Sequence, residues 1–199
     1  MDELDGMFGR KKFNYIKENY GNVGSWAIWA DEGDKPKSNI GDLTILDSDI
    51  NKNLLSQLNP NVVLVGLNIS RNIKVPLANF HDKRSGSNDF KIRFAFRGTP
   101  YWGGYMTDII KDFEQKISGK MISYLKNNKQ FEEENVEMFL QELADIGANN
   151  PTLIAFGNDS YNILKRNFNY KFKILKVPHY AKYISKEKYR EQVKEIWQN

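Results

Sequence analysis

The chain has 199 residues, 40% of them hydrophobic, and no cysteine. That length suits one domain with a real core, and the missing thiols exclude disulfides, thiol catalysis, cysteine-bound zinc and iron–sulfur clusters. The net charge is +4 with only two histidines, His81 and His179; a metal site would have to be mostly carboxylate, no such cluster stands out, and neither metal nor cofactor is expected.

Residues 11–20 are polar and read as a helix. The run Gly24-Ser25-Trp26-Ala27-Ile28-Trp29-Ala30 reads as a strand, because aromatic and β-branched residues dominate it and glycine bounds it. Residues 31–41 are turn-rich, and positions 1–45 are taken as an N-terminal extension of a single domain spanning 1–199. The opening Met1-Asp2-Glu3-Leu4-Asp5 lacks a basic and then apolar leader, and nothing reaches the ~20 apolar residues needed to span a bilayer. A cytoplasmic monomer that does not enter membranes is expected.

Ile50, Leu54, Leu55 and Leu58 fall at helical spacing, with Asp47 or Ser48 as a cap, and Asn59-Pro60 stops that helix. Val62-Val63-Leu64-Val65 has no alternation, which suits a strand covered on both faces. Residues 71–100 show no clear period and predict a long loop whose aromatics, Phe80, Phe90, Phe94 and Phe96, either anchor it or offer a stacking face. His81, beside Lys83 and Arg84, is expected at the surface or against a phosphate.

Residues 103–110 read as a second core strand with Asp108 near its end. Helices follow around Ile117, Met121 and Leu125 and around Val136, Phe139 and Leu143. Residues 152–156 form a third strand entering a helix capped by Asn158 or Asp159. Residues 174–177 form a fourth, and Tyr189, Val193, Ile196 and Trp197 stripe a last helix. This order makes an α/β fold of three layers, with a mostly parallel four-stranded central sheet flanked by helices.

Charge is unevenly distributed. Residues 71–97 carry seven Lys/Arg against two Asp, residues 165–199 carry ten against three Glu, and residues 130–164 carry seven acids and no base. Two basic segments flanking the polar tips Asn68 and His179 are the footprint of a polyanion-binding face, although solvated helix surfaces give the same pattern.

Four pieces, in order, resemble motifs of the uracil-DNA glycosylase superfamily. Val65-Gly66-Leu67-Asn68-Ile69 is nearest the Gly-Ile-Asn-Pro-Gly form of its mismatch-specific uracil/thymine branch. Residues 105–110 resemble the strand whose end reads the base edge, Leu153 to Ser160 the strand-to-helix segment, and Val177-Pro178-His179-Tyr180-Ala181 the His-Pro-Ser motif. The chain departs from the pattern at Ile69-Ser70, at Tyr180-Ala181, and at Asp108, where asparagine is usual.

The resemblance implies hydrolysis of the N-glycosidic bond of a flipped, damaged or mismatched base in DNA. His179 would donate to the departing base and Asn68 would orient the water. Gly66, Leu67, Phe80, Asp108 and Tyr180 would hold the base, and Arg71, Lys83, Arg84, Arg93, Arg97 and Lys182 would hold the DNA. An ionised Asp108 only accepts hydrogen bonds, so it favours a base edge rich in donors; it could equally cap a helix or pair with a loop arginine. The alternative is a non-catalytic nucleic-acid or nucleotide-binding module on the same fold. A small-molecule hydrolase is a weaker third, since no Gly-x-Ser-x-Gly nucleophile motif occurs.

Overall fold

Apolar runs without alternation can be buried only between two layers, and the chain uses them so. A computed structural model describes residues 8–111 and 113–198. The central strand β2 (Asn59–Asn68) lies between β3 (Gly104–Ile110) and β4 (Thr152–Phe156), both parallel to it, and β5 (Lys173–Val177) extends the parallel set beyond β4. A short strand β1 (Ser25–Trp26) pairs antiparallel with β3, giving the order β1-β3-β2-β4-β5. The sheet therefore has five strands rather than the four expected.

Successive residues of β2 point to opposite faces. Val63, Val65 and Leu67 join one core with the inward faces of α1 (Arg10–Tyr20), α4 (Ser118–Asn127), α5 (Lys129–Asp145) and α6 (Asn158–Phe168). Val62 and Leu64 join the other with α3 (Asp89–Phe96) and α7 (Lys186–Gln198). Helices thus cover both faces of the sheet. Among the described residues no helix is long and apolar enough to cross a membrane.

The N-terminal third is not an appendage: Phe8, Phe13, Ile16, Trp26, Ile28 and Leu46 are part of the core. The strand expected over 24–30 shrinks to two residues because its partner runs out. β1 runs antiparallel to β3, so moving forward along it leads back to Gly104, where β3 begins, and Ala27 closes the ladder by donating to the Gly104 carbonyl at 2.7 Å. The helix expected over 50–58 is reduced to α2 (Leu54–Gln57), preceded by a 3-10 turn at Leu43–Leu46 whose cap is Asp42, accepting from the Thr44 N–H at 3.0 Å. Pro60 sits in a register shift between β2 and β3, where its missing N–H breaks no regular pairing.

The expected 71–100 loop contains α3. Its residues Asp89, Lys91, Ile92, Arg93, Ala95 and Phe96 are all buried, so the helix has no polar face and leaves no period to read. Arg93 is 1% exposed and donates to the carbonyls of Ala30 and Pro36, both at 2.9 Å. It fastens the 30–36 segment over α3 and is not available to DNA.

One buried polar network ties β3 to α5. Glu142 is fully buried, accepts from the Tyr105 and Thr107 hydroxyls at 2.7 and 2.9 Å, and pairs with the Lys111 ammonium at 2.5 Å. Removing one partner leaves the other charge uncompensated in the core. Lys111→Met is predicted to cost about 3–5 kcal/mol in urea unfolding, and Lys111→Met/Glu142→Met to recover most of that loss.

Candidate functional site

The chain leaves β2 for β3 on one side of the sheet and returns to β4 on the other. In open α/β sheets the crevice outside the carboxyl ends of strands at such a reversal is where ligands bind. A cavity of about 460 Å³ lies there, lined by Gly66, Leu67, Asn68, Phe80, Asp108, His179 and Tyr180 among others. All seven residues that the sequence assigns to catalysis or base binding converge on it.

Asp108 reaches this space because residue 66 has no side chain. A Cβ at position 66 would lie 2.1 Å from Asp108 Oδ1, so glycine is what allows the carboxylate to lie across the neighbouring strand. Asp108 Oδ2 accepts from Asn79 Nδ2 at 3.0 Å, and the same amide also donates to the Val23 carbonyl at 2.8 Å. Burial pushes the Asp108 carboxyl up to about 6, against the pull of the Asn79 hydrogen bond and the Lys111 charge. Neither a helix cap nor a loop arginine engages it among the described residues.

Phe80 is held in an unusual backbone state. Its φ of +62° is left-handed, which is uncommon for a bulky side chain. Its N–H donates to Asn79 Oδ1 at 3.2 Å and its carbonyl accepts from Trp29 Nε1 at 3.1 Å. These bonds hold a conformation of a kind that costs on the order of 1–3 kcal/mol. The ring is thereby placed on the cavity wall, edge-on to Tyr180 with centroids 6.2 Å apart. His81 follows it inward: it is 4% exposed, with its ring 5.1 Å from that of Trp29. Burial lowers its pKa to about 3, so it is a neutral core residue and not the surface group expected.

Asn68 and His179 each have one end fixed. Asn68 Nδ2 donates to the carbonyls of Ile69, Phe113 and Gln115 at 2.9–3.0 Å, and its Oδ1 meets no donor among the described residues. His179 Nδ1 accepts from the Ala181 N–H at 3.1 Å, so the neutral imidazole carries its proton on Nε2. Desolvation lowers the His179 pKa, with Asp159 opposing. The ring stacks on Tyr180 at 4.4 Å and 22°. Gly157, at φ +90°, is the residue before α6, and a Cβ there would come within 3.3 Å of His179 Cβ. It serves as the α6 cap in place of Asn158 or Asp159.

Sequence reasoning missed Asn79, Asp82 and Asp89. Asp89, 6% exposed, accepts from the Asp82 N–H at 2.7 Å, and burial raises its carboxyl to about 6. Burial alone would raise Asp82 as well, but hydrogen bonds from Arg84 and the charge of Arg71 hold it below its ordinary value. Two expected DNA contacts, Arg71 and Arg84, thus sit on Asp82, each at 2.8 Å. Arg97 pairs with Asp31 at 2.9 Å and lies over the Trp102 ring. Lys83 and Lys182 are exposed and form no ion pair among the described residues. The described residues hold no group of carboxylates and histidines suited to a metal ion.

Comparison of the chain with protein-family models, with curated proteins and with solved structures finds no match.

The raised Asp108 pKa has a definite sign. The folded state binds the proton more tightly than the unfolded chain, so the parent loses stability as pH rises from its ordinary 3.8 through about 6. Asp108→Asn lacks that loss. The variant is predicted to match the parent near pH 4 and to exceed it by up to about 3 kcal/mol at pH 7 in chemical denaturation.

Proposed function

We propose that the chain is a DNA glycosylase-like protein of uracil-DNA glycosylase type, hydrolysing the N-glycosidic bond of a flipped, damaged or mismatched base. The observation that carries this reading is the convergence of Asn68, Asp108, His179 and an aromatic wall on one cavity at the strand reversal. About 460 Å³ falls within the range of small-molecule sites and is ample for a base taken out of the stack.

The chemistry follows from what each side chain has left to offer. Cleavage sends the bonding electrons to the base and leaves positive character on the sugar. For a neutral base, the Nε2–H of His179 is a donor for the charge that develops, fixed in the right tautomer by Ala181. The free Oδ1 of Asn68 accepts from a water and turns it toward the sugar carbon. An amide is a weak base, so the chemistry is slow. Asp108 reads the base edge as an acceptor, and Phe80 and Tyr180 supply apolar ring surface.

DNA is held by fewer cations than the sequence counts, because Arg71, Arg84, Arg93 and Arg97 are engaged within the protein. Lys83 and Lys182 remain. Replacing either by alanine is predicted to lower the slope of log affinity against log salt by ~0.9 for duplex DNA. Arg71→Ala changes that slope by less.

Oligonucleotides carrying a panel of neutral and cationic modified bases, scored for alkali-labile abasic sites, test the reading directly. The parent is predicted to release at least one of these bases. His179→Ala is predicted to slow release of a neutral base such as uracil by ~10²- to 10³-fold. Binding of the oligonucleotides with no abasic site from any of them would leave the non-catalytic module as the correct reading.

A further inference from the structure

Among the described residues, four carboxylates line the cavity, Asp82, Asp89, Asp108 and Asp159, against the single ammonium of Lys116. Asp82 has its own counter-charges in Arg71 and Arg84. Asp89 and Asp108 form no ion pair among the described residues, although both are more than nine-tenths buried; Asp89 feels the charge of Arg71, which is committed to Asp82. Lys111, whose charge Asp108 feels, is committed to Glu142. Burying a carboxylate without a partner is unfavourable unless something offsets it.

The free atom can be named. Asp108 Oδ2 is taken by Asn79, whereas Oδ1 lies against Gly66 in the cavity wall and meets no donor among the described residues. A base leaving as an anion would add negative charge to this set. A base that is positive while bound and neutral once released relieves it, and a cationic ring is also the better partner for the Phe80 and Tyr180 faces.

We infer that the cavity selects a cationic nucleobase, a ring-alkylated purine, with Asp108 as the specificity-determining residue; the chemical step, though not the binding, rests on the glycosylase reading above. In that step the bond between C1′ and the purine nitrogen breaks heterolytically. Its electron pair passes into the ring and cancels the positive charge. Solvent water adds its oxygen to C1′ and releases a proton to bulk, giving an abasic sugar and a neutral base. No proton is delivered to the base, so His179 matters less for this class than for a neutral one.

Calorimetric titration of the full chain at neutral pH with 1-methyladenosine, which is cationic, and with its neutral isomer N6-methyladenosine separates charge from size. The cation is expected to bind at least ~10-fold tighter than the isomer and than uridine, the range for one hydrogen bond to a charged group. Asp108→Asn is expected to abolish the preference, and Asp89→Asn to reduce it should the first variant fail to fold. Duplexes with N7-methylguanine are expected to lose that base at least ~10-fold faster than matched duplexes lose uracil, with His179→Ala slowing only the uracil reaction strongly. Equal binding of the two isomers, tighter binding of uridine, or no nucleoside binding overturns the inference. Cation preference without base release would sustain it while overturning the glycosylase reading, and uracil release without cation preference would do the reverse.

Discussion

The burial of β2 on both faces is the constraint from which the site follows. A strand whose alternate residues feed two separate apolar cores must be central, and a central parallel strand needs neighbours on both edges. Connections then have to leave β2 toward one edge and come back to the other, and the space outside its carboxyl end cannot be filled by either. Asn68 sits at that end, Gly157 sits at the matching end of β4, and His179 follows β5. The cavity is a consequence of topology before it is a matter of chemistry.

What fills its wall is set by close approach. Gly66 gives the Asp108 carboxylate room, Asn79 orients it, and the same asparagine braces the left-handed Phe80 backbone. One residue thus couples the buried carboxylate to the aromatic face. The cost of the arrangement is visible in the carboxyl groups of Asp89 and Asp108, which burial pushes up to about 6. A pocket carrying unneutralised carboxylates is less stable empty than it could be, and favours an occupant that brings positive charge or several N–H donors.

The parts of this architecture that sequence discloses are those governed by short range. Residues 62–65 and 152–156 are runs too apolar for anything but a covered strand, and polar tips at their ends declare Asn68 and the turn at Gly157. His179 is legible for the same reason, as a polar residue just beyond a strand. The rest depends on tertiary contact. α3 is masked because Asp89, Lys91 and Arg93 are buried in it, so its period cannot be separated from noise. Arg93 and His81 read as surface groups because charge and polarity count as exposure in a sequence, whereas the fold spends the guanidinium on two carbonyls and packs the imidazole beside Trp29. Asn79 carries no signal, since its importance lies in what stands at positions 66 and 108.

The claim on which the functional account turns is that a base leaves the duplex and enters this cavity. A crystal structure of the protein with a duplex holding one ring-alkylated purine, on a sugar fluorinated at C2′ to slow cleavage, measures that directly. The account predicts the base inside the cavity against Phe80, with an edge N–H within hydrogen-bond distance of Asp108 Oδ1 and C1′ beside Asn68. A base still stacked in the duplex, or DNA bound to a face away from the carboxyl ends of β2 and β4, would contradict it.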